Sequence, residues 1–290
     1  MKEAMLYRDK TEILLRGLFA IHNEVGLGRS EEIYHEAFCH WLRDANIPFA
    51  SKQAHHLMLE GEIVHTLFPD IVAWDSITIE LKALPRKLRD EDKVQVFNYL
   101  KRRGDRLGLL VNMGLDRVHV ERFIFDAPLA QRMEQWDSWA GTIPDATRST
   151  GLALRHALLS IEQVHVTGYG SEVVEKLLTS SLRKAGLRFI TKPYGASRYR
   201  NNAIGRSPFD CWIIDDQMLF VFTALFDTND FNVHRGRSFM RSLGIPFGVA
   251  VNFGKQYLQI HALALPPSSI RGTPLASAGF PSSSKKELIT

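Results

Sequence analysis

Asp70, and ten and twelve residues after it Glu80 and Lys82, have the types and spacing of a hydrolytic centre, in the stretches Phe68-Pro69-Asp70 and Thr78-Ile79-Glu80-Leu81-Lys82. In an extended segment successive side chains point to opposite faces, so Glu80 and Lys82 share one surface and Ile77, Ile79 and Leu81 the other. Taken alone, Glu80 and Lys82 read as a weak ion pair on a half-exposed edge strand. Asp70 changes that reading, because two adjacent strands joined by a turn at Asp75-Ser76 would bring it close to both. Two carboxylates at one point can hold Mg²⁺ or Mn²⁺ through hard oxygens, and hydrolysis of a phosphodiester needs such an ion. Lys82 would orient the attacking water or stabilise the developing negative charge.

Other polar positions extend the set. Gly28-x-x-Glu31-x-x-Tyr34 opens a helix, with Ser30 placed as its N-cap. Glu31 and Tyr34 lie three apart and share a face, although a first-turn carboxylate also suits the helix dipole and Tyr34 also reads as a packing residue. Gln95 and Tyr99 lie four apart beside the apolar stripe Val96, Phe97 and Leu100. The same helix ends in Lys101, Arg102 and Arg103, which suit a helix C-terminus and would equally serve as phosphate contacts.

Apolar residues recur at helical spacing over 10–25 and 30–45, and strand-like runs follow at 55–59, 63–67, 70–74 and 76–82. A helix over 89–103 leads into the buried run LGLLVNMG, and an alternating strand over 117–125 closes the series. A shift of 140 residues then brings the second half into register. Leu14, Leu18 and Ile21 fall on Leu154, Leu158 and Ile161. Gly104, Gly108, Val111, Asn112 and Gly114 fall on Gly244, Gly248, Val251, Asn252 and Gly254. This is the pattern of an internal duplication with two copies, each an α/β unit with a mixed sheet flanked by helices. The expected division is 1–140, a linker at 141–150 rich in turn formers, a second copy over 151–265 and a disordered tail over 266–290.

The ordered set Gly-x-x-Glu-x-x-Tyr, Asp, Ile-Glu-Leu-Lys, Gln-x-x-x-Tyr and LGLLVN resembles the GxxExxY family of the PD-(D/E)XK nuclease superfamily, over about residues 10–125. The resemblance implies a restriction-endonuclease-like core, a Mg²⁺-dependent phosphodiesterase site and a bacterial, cytoplasmic setting. Carried over position by position, it makes Glu31, Asp70, Glu80 and Lys82 catalytic, with Asp70, Glu80 and Glu31 on the metal and Gln95 and Tyr99 in support.

The second copy lacks that set. Glu31 becomes Ser171, Tyr34 becomes Val174, Gln95 becomes Arg235 and Tyr99 becomes Phe239, while Asp70 falls on Asp210. Phe220 or Val221 replaces Glu80, and Phe222 or Thr223 replaces Lys82, so an apolar patch is expected in place of a metal pocket. This copy is a pseudo-nuclease expected to bind or scaffold. Residues 1–145 carry a net −4 and residues 146–290 a net +8. Arg198, Tyr199, Arg200, Arg206, Arg235 and Arg237 would contact phosphates, or would be solvated or dock on the acidic half.

These readings converge on a metal-dependent nuclease acting on nucleic acid, DNA rather than RNA. The competing reading is an inactive nucleic-acid-binding or scaffold subunit of a larger defence or repair complex, with a protein partner or a homo-oligomer. No apolar run approaches the roughly 20 residues of a membrane span, and MKEAMLYRDK lacks the apolar core of a signal peptide, so a cytoplasmic protein is expected. Cys39 and Cys211 read as buried hydrophobes, and His22, His35 and His40 as helix-surface residues.

Overall fold

Helical periodicity in the first forty-five residues is realised as α1 (Arg8–Val25) and α2 (Glu31–Asp44). Leu14, Leu18 and Ile21 of α1 and Tyr34, Phe38 and Leu42 of α2 form one buried face. Gly17 lets the two helices close up: a Cβ there would lie 2.4 Å from the Trp41 ring. The chain continues as β1 (Phe49–Ser51), a hairpin of β2 (His55–Leu59) and β3 (Glu62–Leu67), then β4 (Ile71–Ala73), β5 (Ile77–Lys82), α3 (Asp90–Arg103), β6 (Leu107–Asn112) and β7 (His119–Ile124). The computed structural model describes residues 6–126, 131–141, 143–200 and 202–266, the side chain of Arg198 excepted. The proposed tail lies outside these residues apart from residue 266.

The first sheet has the order β1-β4-β5-β6-β7. Strands β5 and β6 are parallel and joined through α3, while the other pairs are antiparallel. The β4–β5 turn is tight, with Trp74 and Asp75 both at φ 49°, which matches the twist of the flanking strands. Ile77, Ile79 and Leu81 of β5 belong to the core under α1 and α2. Thr78 and Glu80, on the opposite face, are buried as well. Strand β5 is therefore a central strand covered on both faces, not the half-exposed edge that its charges suggest in isolation.

The second half follows with β8 (Gln131–Gln135), one 3₁₀ turn (Asp137–Trp139), α4 (Asp145–His165), α5 (Ser171–Lys184), β9 (Phe189–Thr191), β10 (Tyr194–Tyr199), β11 (Asn202–Pro208), β12 (Trp212–Ile214), β13 (Met218–Ala224), α6 (Asp230–Leu243), β14 (Phe247–Phe253) and β15 (Tyr257–Ala264). Its sheet runs β8-β15-β14-β13-β12-β9. Without β8, the order of helices, hairpin and strands is that of the first half, with β13 and β14 parallel and joined by α6. Equivalent details recur: Asn112 donates to the carbonyls of Leu84 and Arg86, and Asn252 to that of Phe226, so each holds the loop after a central strand.

Two boundaries differ from the sequence reading. Helix α4 starts at Asp145, inside the expected linker 141–150, because Thr147 and Thr150 are buried and bond to Gln217 and Asp215 of the second half. Residues 131–135, assigned to 1–140 and not expected as a strand, form β8 and add to the second sheet beside β15. Trp139 follows it there, donating its Nε1 hydrogen to the Leu263 carbonyl at 2.9 Å.

The halves share a core. Leu57, Leu59 and Leu67 of the β2–β3 hairpin belong to the same buried cluster as Val173, Leu177 and Leu178 of α5. Asn98 of α3 accepts from the Gly170 amide at 2.9 Å, supplying an acceptor at the open N-terminus of α5. Among the described residues, no helix is long and apolar enough to cross a membrane.

Candidate active site

The site forms where β4 enters the sheet beside the far end of β5. Asp70, just before β4, is 8% exposed, and its Oδ2 accepts from the Leu81 amide at 2.8 Å. This bond fixes the carboxylate against the neighbouring strand, ten residues on in sequence and adjacent in space. Glu80 is 1% exposed. Its Oε1 accepts from Lys82 Nζ at 2.6 Å, whereas its Oε2 is buried with no hydrogen-bond partner. Burial first, and the Asp70 charge second, push the Glu80 carboxyl up to about 8, against the opposing pull of Lys82.

Lys82 gathers the remaining side chains. Its Nζ lies 3.3 Å from Gln95 Oε1 and 3.9 Å from Glu31 Oε2. Burial works to lower the ammonium's pKa, but the Glu80, Glu31 and Asp70 carboxylates together outweigh it and hold it above the ordinary lysine value. Gln95 in turn donates from Nε2 to the Tyr99 hydroxyl at 2.5 Å, and Tyr99 is itself buried. The structure thus brings Glu31, Asp70, Glu80, Lys82, Gln95 and Tyr99 into one connected set.

Within this set Glu31 stands at the rim. Its carboxyl is half-buried at the rim, and burial raises its pKa. Among the described residues, no three His, Cys, Asp or Glu side chains gather at metal-ligand spacing. Glu31 here faces the Lys82 ammonium from the rim, beside the same two carboxylates. Ser30 stands at the N-cap of α2 but makes no side-chain cap bond. Tyr34 is fully buried and donates to the Gly26 carbonyl at 2.7 Å, clamping the loop before α2.

One supporting residue escaped the sequence reading. His35 is buried, not on the helix surface, and its Nε2 lies 3.2 Å from the Asp70 carbonyl and 3.0 Å from Ser51 Oγ. It lies four residues after Glu31, so the helical repeat that places Glu31 at the rim places His35 behind Asp70. That spacing was the signal for it. His22 is buried too, its Nε2 2.9 Å from the Leu115 carbonyl.

Asp70 and Glu80 fit a divalent cation. Each commits one oxygen to the protein, and the second Glu80 oxygen is buried and unsatisfied, an arrangement that a cation would relieve. Two carboxylates with water filling the remaining positions suit Mg²⁺, which keeps much of its hydration shell.

The second half offers no such pair. Strand register sets Val221 opposite Ala250 and Thr223 opposite Asn252, as Glu80 and Lys82 stand opposite Leu110 and Asn112. Val221 and Thr223 are therefore the replacements. The same register corrects the match of Asp70 to Asp210. Lys52 bonds the Asp70 carbonyl and Lys192 bonds that of Cys211, so Cys211 stands at the Asp70 position and Asp210 one residue earlier. The corresponding pocket is lined by Trp212, Phe222, Phe226 and Phe231, but it is not wholly apolar. Arg235 enters it, paired with Asp210 at 2.6 Å and donating to Phe222 O and Asn232 Oδ1 at 3.0 Å each. Arg235 thus lines, with Ser171, Cys211 and Thr223, a cavity of roughly 280 Å³.

Several expected phosphate contacts are committed elsewhere. Arg235 is held as just described. Arg103 pairs with Asp105 at 2.7 Å and Asp75 at 2.8 Å, leaving its side chain 9% exposed. Lys101 lies over the Tyr169 ring, 4.6 Å from its centroid, where burial pushes it down to about 7. Arg102 is exposed but donates to the His56 carbonyl at 2.7 Å. Tyr199, Arg200 and Arg206 lie exposed on the β10–β11 hairpin, Arg237 is half-buried on α6, and the Arg198 side chain lies outside the described residues.

Residues 8–123 match the family model of the PD-(D/E)XK nuclease superfamily, a superfamily that generally comprises metal-dependent nucleases. The matched segment begins with α1, ends in β7 and contains every residue of the site. No curated protein and no solved structure matches the chain.

Proposed function

We propose that the chain is a metal-dependent nuclease that hydrolyses phosphodiester bonds of nucleic acid, DNA in preference to RNA. Its active site is in the first half, and the second half is a degenerate tandem copy that binds or scaffolds. The observation that carries the reading is the Asp70–Glu80 pair beside Lys82, with a buried Glu80 oxygen left without a partner. The superfamily match over the same residues supports it. The repeated order of elements supports the duplication.

Asp70 and Glu80 would hold Mg²⁺ or Mn²⁺. Such an ion supplies activation of water and neutralisation of charge at the phosphate. Lys82 keeps its proton in this acidic setting, so it acts as a fixed cation that orients water or meets the charge developing on the phosphate. Gln95 fixes the lysine, Tyr99 fixes Gln95, and Glu31 holds the ammonium from the rim. His35 holds the backbone of Asp70. Together they preorganise the site so that little is rearranged during reaction.

The test is incubation of purified protein with end-labelled DNA and RNA in Mg²⁺, Mn²⁺ or EDTA. Cleavage of DNA with either cation and none in EDTA is expected. Cleavage that continues in EDTA overturns the metal reading, and binding without cleavage in any cation favours the inactive scaffold.

A further inference from the structure

The β2–β3 hairpin of the first half is clasped against α5 of the second, and the contact has a definite chemistry. Leu59 and Val64 pack into the core that contains Val173. At the hairpin tip, Glu60 approaches Lys184 at 3.9 Å, and Lys184 Nζ also donates to the Glu60 carbonyl at 3.0 Å. Val173 is 1% exposed as a result.

The chain carries each side of this contact once more, and there the corresponding residues stand exposed among the described residues. The topological counterpart of the first hairpin is β10–β11, which also contains a register shift and a left-handed tip residue, Arg200 at φ 54° where Glu60 has φ 48°. Under the 140-residue shift Leu59 becomes Tyr199 and Val64 becomes Ile204, which are 63% and 69% exposed, and the whole of β11 is exposed. The counterpart of α5 is α2, where Val173 becomes Ile33, 46% exposed. Among the described residues, β10–β11 packs on α6 and makes no extensive contact with α2.

The charges are exchanged. Glu60 at the tip of the clasped hairpin becomes Arg200 at the tip of the free one, and its partner Lys184 becomes Asp44 on α2. Lys176, which lies 3.1 Å from His65 of the clasped hairpin, becomes Glu36. An acidic hairpin on a basic helix inside the chain thus has as its counterpart a basic hairpin and an acidic helix, with apolar residues at matching positions. Each set is complementary to its own partner and repels the other.

We propose that the β10–β11 hairpin docks on α2 of a second copy of this chain, repeating between molecules the contact that joins the two halves. Arg200 then faces Asp44, and Tyr199 and Ile204 cover Ile33. The contact is heterologous, hairpin of one molecule on helix of the next, and each molecule retains one free hairpin and one free helix. Association is therefore head to tail, giving a ring or an open filament in place of a two-fold dimer. The inference rests on the repeated fold and charge pattern and not on the hydrolytic reading.

The experiment is sedimentation velocity on the full chain over a concentration series, without nucleic acid or divalent cation. Wild type is expected to form oligomers that grow with concentration and dissolve as salt is raised. Arg200→Glu and Asp44→Lys are each expected to weaken association by about tenfold or more, because each replaces an attraction by a repulsion. The chain carrying both changes restores the pairing with its signs reversed and should associate again. A wild-type chain that stays monomeric throughout overturns the proposal. So does an oligomer indifferent to both single changes, or a single change that is not rescued by the other. If wild type is monomeric and Arg200→Glu instead weakens retention of a labelled duplex, the hairpin is a nucleic-acid contact and the self-docking surface is refuted.

Discussion

Glu80 shows how little of a residue's role is decided by its own type. Its charge and its neighbour Lys82 suggest a solvated edge, yet the strand is central and the carboxyl is buried with one oxygen unpaired. Asp70, ten positions away, discloses the site in sequence; burial and the unsatisfied oxygen needed the second face of the sheet, against which α3 packs. Gln95 acts through Lys82, so Gln95→Ala should lower kcat about 10- to 100-fold with a smaller change in KM. Gln95→Glu, which keeps an acceptor for the ammonium, should recover part of it. Unaltered kcat in the alanine variant would remove Gln95 from the site. Lys101 gives a pH test away from the carboxylates. Burial holds it at about 7 in the folded chain, against about 10.4 when unfolded, so the unfolded chain binds the extra proton between these values and stability rises with pH across that window. Lys101→Met should therefore stabilise the protein by about 1–3 kcal/mol below the window and by progressively less toward its upper end. Urea unfolding at several pH values would show this; a gain independent of pH would show that the lysine is not charged against its surroundings.

Elements with strong periodicity were legible before any coordinates: α1, α2, α3, α5 and α6 follow from apolar spacing, and β5 and β6 from their apolar runs. What was not legible depends on partners remote in sequence. Strand β8 is a polar stretch, Gln131 to Gln135, that becomes a strand only because β15 offers an unpaired edge. The 141–150 stretch reads as turn-forming because Thr, Gly and Pro dominate it, yet Thr147 and Thr150 find acceptors on the second half and the helix begins there. The one-residue offset that puts Cys211, not Asp210, at the Asp70 position is invisible to ungapped alignment and follows from ladder register. Between elements, the join of α3 to α5 depends on Gly170, where a Cβ would lie 2.3 Å from Val94 Cγ1. Gly170→Ala should cost about 1–3 kcal/mol through overpacking. Chemical denaturation measures it, and an unchanged midpoint would mean that the two helices separate freely.

At the scale of the whole molecule, two halves of similar topology carry opposite electrostatics. In the first, three carboxylates surround one ammonium and one carboxylate oxygen is left unsatisfied. In the second, a guanidinium pairs with Asp210, one residue before the position equivalent to Asp70. The proposed division of labour, hydrolysis in the first half and binding or scaffolding in the second, follows this contrast. Asp210→Ala should accordingly leave cleavage within about twofold of wild type, its role being confined to Arg235. The central claim is that hydrolysis depends on the Asp70–Glu80 pair holding a divalent cation. Its most direct test is the single-turnover cleavage rate of labelled duplex DNA in Mg²⁺ by the wild type, Glu80→Gln and Asp210→Ala proteins, each with its folding checked by thermal unfolding. A loss of at least about a thousandfold in Glu80→Gln, with Asp210→Ala unaffected, is the predicted result. Cleavage by folded Glu80→Gln at the wild-type rate, or an equal loss in Asp210→Ala, would contradict it.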